Sequence, residues 1–196
     1  MTKNSDLEIS VYLEQERELL DQGEVIQQCP VFTWDTEAQE GILSDDPLAA
    51  LGNRIGGIYE DVVVITPTCD LVQRKTKFIA VCVALNMQKA RMEWVATKGS
   101  GFEESDEKWN SFLSNVANDK INHHMYLPSG VVDGANIPDR IVNLIPTIYL
   151  PTNFLQEIVT SRDDRRIRLN SPYREKLSLR YAQLYSRIGT PEVWFP

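Results

Sequence analysis

The sequence predicts an α+β protein built on a small curved β-sheet, with a helix near each end of the chain and one in the middle. Two dense apolar runs, residues 62–65 and 78–85, are rich in β-branched side chains and too short for stable helices. Because neither run alternates cleanly with polar residues, we expect both to be central strands buried on both faces. Segments with strand character outnumber helical ones and tend to follow one another directly, which favours α+β over a doubly wound sheet.

The N-terminal part is predicted to contain a helix, a short strand and a long loop. A capping-box pattern at residues 5–8 and a stop signal at Gly23 predict a helix over residues 6–22. A short strand is expected over residues 25–34. Residues 35–57 are acidic and interrupted by proline and glycine, which indicates a surface loop.

The middle of the chain is predicted to add a third strand and a helix. Residues 92–96 are mostly apolar and are interpreted as the strand. Ser105 is a suitable cap for a helix that ends near residue 117, with acidic side chains at its positive end. One apolar stripe follows the helical spacing and consists of Trp109, Phe112, Leu113 and Val116.

Four shorter elements are predicted to follow this helix. Residues 121–127 alternate between apolar and polar side chains, which is typical of a half-buried strand. Residues 141–150 predict another strand, bent at Pro146. A short helix over residues 153–160 and a short strand over residues 165–169 complete the set.

The C-terminal helix has the clearest boundaries. Ser171 is the predicted cap, Pro172 occupies the first helical position and Gly189 ends the helix. Its predicted apolar face consists of Tyr173, Leu177, Tyr181, Leu184 and Ile188.

The length and the charge distribution limit the possible domain organisation. A chain of 196 residues suits one compact domain, with an acidic N-terminal part over residues 1–57 and a barrel-like or curved-sheet body over residues 58–196. The net charge of −8 is uneven, because residues 1–60 carry −10 and residues 161–196 carry +4. This asymmetry fits either separate binding surfaces or ordinary solvated faces.

The spacing of the cysteines and the short length of the apolar runs predict the cellular location. The three cysteines lie far apart without a C-x-x-C pair, so we expect no disulfide framework and a cytoplasmic location. No apolar run approaches the roughly 18 residues of a membrane span. The N-terminus also lacks the apolar core of a signal peptide, and we expect no membrane partner.

Cys69 and Asp70 are the most prominent candidates for chemistry, because they follow the end of a predicted strand. The Cys69 thiol would be a nucleophile if His123 or His124 lowered its pKa. The alternative, which we favour, is a small apolar side chain in a turn, with Asp70 accepting backbone N–H bonds.

No metal or cofactor is expected. His123 and His124 are adjacent, so in a strand they point to opposite faces and cannot both ligate one metal. Cys69, Cys82 and one histidine lack the ligand spacing of a zinc site. The sequence also contains no Gly-rich phosphate loop and no G-x-S-x-G motif, so nucleotide hydrolysis and serine-hydrolase chemistry lack support.

One segment near the C-terminus concentrates basic residues with interleaved tyrosines. Arginines with aromatic side chains can clamp phosphates and stack bases, although pairing with acidic groups of the same fold also explains them. The candidate residues for nucleic-acid or partner binding are Arg165, Arg166, Arg168, Arg174, Lys176, Arg180 and Arg187.

Two segments carry a resemblance that spans most of the chain. Residues 61–71 read Asp-Val-Val-Val-Ile-Thr-Pro-Thr-Cys-Asp-Leu, and residues 169–174 read Leu-Asn-Ser-Pro-Tyr-Arg. This combination resembles a group of uncharacterised bacterial proteins that share a strand with a Cys-Asp turn and a Ser-Pro-Tyr-Arg helix near the end. The resemblance implies no established activity.

A second resemblance is local. Residues 61–65, a polar loop and residues 78–83 are similar to the opening hairpin of the MazF/PemK toxins, which are small SH3-like barrels that cleave RNA. This similarity implies an SH3-like β-barrel. It also implies an alternative function as a ribonuclease, with Arg74 and either Thr68 or Asp70 placed around the scissile phosphate.

We therefore expect a non-catalytic binding or accessory subunit of a bacterial defence or toxin–antitoxin type assembly, a setting that the resemblances suggest. It would hold a protein partner, with nucleic acid as a second candidate ligand and homo-oligomerisation left open. A MazF-like endoribonuclease is one alternative, and a hydrolase that depends on Cys69 is another.

Overall fold

The computed structural model describes residues 10–15, 19–34, 55–162 and 166–186. It confirms the α+β class, because these residues form a seven-stranded antiparallel sheet, a separate two-stranded hairpin and five helices. The strands are β1 (Tyr12–Glu14), β2 (Glu24–Trp34), β3 (Ile55–Val64), β4 (Phe78–Asn86), β5 (His124–Leu127), β6 (Gly130–Val132), β7 (Ala135–Ile137), β8 (Arg140–Pro151) and β9 (Ile167–Leu169). The helices are α1 (Thr68–Val72), α2 (Met87–Ala96), α3 (Asp106–Ala117), α4 (Thr152–Ser161) and α5 (Tyr173–Ser186).

The large sheet is open. Its strand order is β1-β9-β2-β3-β4-β8-β5, while β6 and β7 form the hairpin. Within the described residues no pairing joins the edge strands β1 and β5, so the sheet is not closed into the barrel that the toxin resemblance implies. None of the described helices has the length and apolar character needed to cross a membrane.

The two valine-rich runs are central strands, as predicted. β3 pairs with β4 in the middle of the sheet, and Val63 is opposite Cys82. Val62, Val63 and Val64 are all fully buried although they alternate between the two faces. Both faces are therefore covered at this point.

Helices cover the two faces of the sheet differently. On the first face, α5 and the β6–β7 hairpin enclose a core that includes Val63, Cys82 and Leu177. On the second face, α1 and α4 enclose one cluster around Ile79, and α2 with α3 encloses another around Leu85. Ile79 and Leu85 lie on the same face of β4, so two pairs of helices cover separate parts of this face. We call these pairs, α1 with α4 and α2 with α3, the two helical covers.

The predicted N-terminal helix over residues 6–22 is wrong where the structure describes it. Tyr12–Glu14 form a strand that pairs with β9, and residues 1–9 and 16–18 lie outside the described residues. The side chain of Tyr12 is buried by this long-range pairing, which outweighs the local helix signals. The predicted loop over residues 35–57 is corrected at its end, where β3 begins, and residues 35–54 are not described.

The predicted strand over residues 92–96 is also wrong, because these residues form the second half of α2. The side chain of Asn86 accepts a hydrogen bond from the backbone N–H of Lys89 at 2.9 Å and so caps the helix. Ala90 and Trp94 are buried with helical spacing, which stabilises a helix rather than a strand here.

The middle helix is confirmed as α3, with Ser105 accepting a hydrogen bond from Lys108 N–H at 3.3 Å. The strand predicted over residues 121–127 is shorter and begins at His124. The later elements are confirmed as β8, α4 and β9. The C-terminal helix is confirmed as α5, but it begins at Tyr173 rather than Pro172, and the predicted stop at Gly189 lies outside the described residues.

Candidate functional site

An open groove lies on the second face of the sheet, between the two helical covers. Along β4, Val81 belongs to the α1–α4 cluster and Leu85 to the α2–α3 cluster, while Val83 between them is only half-buried. The space above this strip has a volume of about 670 Å³. We call it the groove, and its lining residues are Val31, Phe32, Ile58, Glu60, Val83, Glu93, Asn143, Pro146, Thr147, Ile148, Tyr149 and Leu150.

A change of register in β8 shapes the floor of the groove. Val81 pairs with Ile148 and Val83 pairs with Asn143, so residues 144–147 form an extended bulge opposite a single residue of β4. The bulge contains Pro146, which explains how a proline fits within a long inner strand. It also brings the polar side chain of Asn143 onto an otherwise apolar floor.

A second cavity of about 500 Å³ adjoins the groove under α2 and α3. We call it the pocket. It shares three lining residues with the groove, namely Glu93, Asn143 and Pro146. Its other lining residues are Leu85, Ala90, Trp94, Thr97, Lys98, Phe112, Ile121, His123, His124, Ile141 and Ile145.

The polar groups of the pocket form a short chain. The side-chain amide of Asn143 donates a hydrogen bond to Oε2 of Glu93 at 3.1 Å, and Asn143 faces His124 across the β5–β8 pair. In the described part of the chain, no hydrogen-bond partner reaches the buried atoms Nδ1 of His124 and Oδ1 of Asn143. Buried polar atoms are nearly always satisfied, so two adjacent exceptions point to a place for a ligand or water.

Burial sets the protonation of the pocket. Burial lowers the pKa of His124 to about 4, and His123 lowers it too, with Asn143 acting in the opposite direction. His124 is therefore neutral near pH 7 and keeps one ring nitrogen as an acceptor. Burial also raises the pKa of Glu93, against the opposing effects of Lys89 and Asn143.

Aromatic rings form the outer wall of the pocket. The ring centroids of Trp94 and Phe112 are 5.5 Å apart, and Phe112 meets His124 edge-on at 5.7 Å. Phe112 also stacks on Trp109 at 5.3 Å. The rings therefore pack against one another as a continuous aromatic cluster.

The two carboxylates near the groove have different partners. Glu60, which is 7% exposed, forms a salt bridge with Lys89. Glu93 hydrogen-bonds to the neutral amide of Asn143, and no described Lys or Arg nitrogen lies within 4 Å of it. Glu93 therefore contributes negative charge that no close cation neutralises.

The candidate catalytic residues are not assembled into a common site. Cys69 is exposed in α1, and its Sγ lies 3.7 Å from Oδ1 of Asp70. Its exposure corrects the interpretation of a packed side chain. The rings around His124 belong to His123 and Phe112, at the other helical cover.

Arg74 lies elsewhere again. It lines a separate cleft of about 540 Å³ with Lys77 and the start of α4. The hydroxyl of Thr68 donates a hydrogen bond to the buried carboxylate of Asp21. Thr68 therefore serves the fold, while the Asp70 carboxylate lies beside the Cys69 thiol and Arg74 lines the cleft.

Two of the basic candidates are structural. Arg166 forms hydrogen bonds at 2.6 and 2.9 Å with the two carboxylate oxygens of Glu24, which is 1% exposed. Arg180 is 7% exposed and donates to the backbone carbonyls of Asp119, Ile121 and His124 at 3.1, 2.6 and 2.9 Å. Neither guanidinium faces solvent as a phosphate clamp would.

The other basic candidates are ion-paired or undescribed. Arg174 pairs with Glu175 at 2.9 Å, and Lys176 pairs with Asp119 at 3.0 Å. The guanidinium of Arg168 lies 3.9 Å from the carboxylate of Asp21. Arg165 and Arg187 lie outside the described residues.

The sequence analysis missed the residues that join the groove to the pocket. Glu93 and Trp94 were assigned to a strand, and Asn143 was one polar residue within an apolar run. The Asn86 cap is the signal that would have placed Glu93 and Trp94 on a helix. Among the described residues no three His, Cys, Asp or Glu side chains converge as metal ligands do.

Fold and site together define an α+β protein with an open antiparallel sheet and a ligand-sized cavity on one face. Comparison of the chain with protein-family models, curated proteins and solved structures finds no match.

Proposed function

We propose that this chain is a non-catalytic binding subunit that holds a segment of a partner protein in the groove. One observation carries the proposal: a strip of the central sheet is left open between two helical covers that bury the rest of the face. An exposed apolar strip between two covered parts of one sheet face marks an interaction site.

The groove has the surface properties of a protein-binding site. Ile58 is 40% exposed on its floor, beside the half-buried Val83 and Ile148. Leu150 adds a buried aliphatic side chain to the same floor. Exposed and half-buried aliphatic side chains beside a few polar groups are typical of an interface core.

The arrangement of the chemical groups favours binding over catalysis. Cys69 lies in α1, while the histidines that could activate it line the pocket under α2 and α3. Arg74 lines a different cleft from both. The three cysteines are free, which agrees with the expected reducing cytoplasm of a bacterial cell. Membership of a defence or toxin–antitoxin type assembly is part of this proposal and derives from the resemblances alone.

Co-purification from the native host tests the proposal. The full chain should retain a stoichiometric partner, and the groove variants Ile58→Glu and Ile148→Ala should lose it. Val131→Glu is the matched control, because Val131 is 56% exposed on the β6–β7 hairpin, which does not line the groove.

Two results would overturn the proposal. One is a partner that both groove variants retain, and the other is a partner that the control loses equally. Light scattering on the purified chain supplies a further check. A dimer that Ile58→Glu dissociates would identify a second copy, rather than a different protein, as the occupant of the groove.

A further inference from the structure

The pocket adjoins the groove, so one bound segment can lie close to both. Glu93, Asn143 and Pro146 line both spaces. A side chain that projects from a segment lying in the groove would therefore enter the pocket beside Glu93.

The polar groups that face such a side chain are acceptors. The amide nitrogen of Asn143 is engaged by Oε2 of Glu93, which leaves Oδ1 of Asn143 without a partner in the described structure. Nδ1 of His124 is likewise without a partner there. The carboxylate of Glu93 retains acceptor capacity beyond this one hydrogen bond. The Glu93 carboxylate and Oδ1 of Asn143 accept only, so a ligand group complementary to them consists of donors, and Nδ1 of His124 accepts as well when the ring proton is on Nε2.

The aromatic wall selects for a flat cation. The aromatic side chains of Trp94 and Phe112 contact each other and line the cavity. A guanidinium is planar, carries N–H donors on every nitrogen and has no acceptor, and it stacks on aromatic faces. An ammonium group is compact and more strongly hydrated, so it satisfies the same acceptors less well.

The charged side chains near the pocket also favour a guanidinium. Glu60 is neutralised by Lys89, whereas Glu93 has no described cation within 4 Å. Burial raises the pKa of Glu93, which is the effect that a bound cation would reverse. Lys98 also lines the pocket, and its positive charge would repel a bound cation. Its ammonium lies 5.8 Å from the Trp94 ring centroid.

We propose that the pocket binds the guanidinium of an arginine side chain carried by the partner segment in the groove. The proposal rests on the proposed function, since it assumes that the groove holds such a segment. The Glu93 carboxylate, Oδ1 of Asn143 and Nδ1 of His124 would accept its hydrogen bonds, and Trp94 would stack on its plane.

Peptide libraries test the proposal on the full chain. The probes are blocked pentapeptides with arginine, lysine or citrulline at the centre and a mixture of Leu, Val, Tyr and Thr at the other positions. We expect the arginine library to bind about tenfold or more tighter than the citrulline library, because citrulline has nearly the same shape without the charge. Lysine should fall between them.

Three variants locate the effect. Glu93→Gln should reduce the arginine preference about tenfold, and Glu107→Gln, the same change on an exposed helix start, should leave it unchanged. Lys98→Met should strengthen arginine binding, because it removes the opposing charge. The increase in arginine affinity on Lys98→Met is measured independently of Glu93→Gln. The proposal therefore stays testable if the Glu93→Gln protein is unstable.

The outcomes separate this inference from the proposed function. Equal binding of all three libraries, weakened by Ile58→Glu, would overturn the arginine pocket and leave the groove proposal standing. The absence of any library binding would also overturn it. If Nα-acetyl-arginine amide alone shifts the nuclear magnetic resonance signals of His124 and Trp94 as strongly as the library does, the source is a free guanidino compound and not a partner segment.

Discussion

Glu24 and Arg166 form a two-point ion pair inside the fold, with Nε to Oε1 at 2.6 Å and Nη2 to Oε2 at 2.9 Å. Glu24 starts β2, and Arg166 lies just before β9, so the pair fixes two adjacent strands from distant parts of the chain. Its geometry is the planar, bidentate arrangement that lysine cannot reproduce.

Removing one partner of this pair should destabilise the fold strongly. We expect Arg166→Lys and Arg166→Met to lower the free energy of unfolding by about 3 kcal/mol, because the Glu24 carboxylate would remain buried without a matched partner. Urea unfolding measures the change. Arg174→Lys, in an exposed pair with Glu175, is the control and should cost less than about 0.5 kcal/mol. The double variant Glu24→Leu with Arg166→Met should recover part of the loss, and equal effects at both arginines would contradict this account.

Arg180 should matter for stability rather than for nucleic-acid binding. Its guanidinium donates to the backbone carbonyls of Asp119, Ile121 and His124, which lead into β5. We expect Arg180→Met to lower the free energy of unfolding by about 2 to 3 kcal/mol, because buried acceptors lose charge-assisted hydrogen bonds. Lys176→Met, on a more exposed side chain, should have little effect. A stable Arg180→Met protein that had lost affinity for RNA would point to the basic-surface interpretation instead.

His124 should make stability depend on pH. Its pKa of about 4 in the folded protein lies below the ordinary value of 6.5, so between these values the unfolded chain binds more protons. The free energy of unfolding should therefore fall as the pH drops from 6.5 to 4, and this contribution should level off below pH 4. Since His124 is only partly buried, we expect about 1 to 2 kcal/mol.

The comparison with His124→Gln isolates this effect from that of the nearby Glu93 carboxyl, whose pKa burial raises. The variant should show a flatter dependence in this window when unfolding is measured at a series of pH values. Parallel curves for the two proteins would show that His124 is as easily protonated in the fold as in the unfolded chain.

The three thiols should react at very different rates. Cys69 is exposed, while burial raises the pKa of Cys29 to about 11 and that of Cys82 to about 12. We expect iodoacetamide to label Cys69 on the native protein roughly 100-fold faster than the other two, because the thiolate is the reactive form and access is needed. Mass spectrometry of the digested peptides gives the rates. In denaturant the differences should disappear, and rapid labelling of Cys82 in the native state would contradict its placement in the core.

Incubation with total RNA should leave the RNA intact. The hydroxyl of Thr68 donates to Asp21, so it is already engaged within the fold and is not free to position a scissile phosphate. Gel analysis against a buffer control provides the readout. Cleavage that is lost on Arg74→Ala would falsify the binding proposal in favour of the toxin-like nuclease.

The sequence allowed the centre of the sheet to be predicted because its signal is local. The valines of β3 and the apolar residues of β4 could not be buried on both faces in any element but an inner strand. The Ser105 cap and the spacing of Trp109 and Phe112 likewise determine α3 within a few residues. Such elements need no information from elsewhere in the chain.

The candidate site could not be predicted because it depends on long-range register. Asn143 reaches the floor of the groove only through the bulge in β8, and it meets His124 only because β5 pairs beside β8. Glu93 joins them from a helix whose apolar residues looked like a strand. The clustered arginines show that closeness in sequence does not place residues in one site. Arg166 and Arg180 are close in sequence but bind different parts of the fold.

The pairing of β1 with β9 also orders the events of biosynthesis. Tyr12 lies opposite Leu169, and β9 is the strand that separates β1 from β2. During translation β1 leaves the ribosome long before β9 has been synthesised. The edge of β2 that pairs with β9 also stays unpaired until then. Completion of this edge therefore requires synthesis of the chain through β9, and a nascent chain halted before β9 would present an unpaired strand edge to chaperones and proteases.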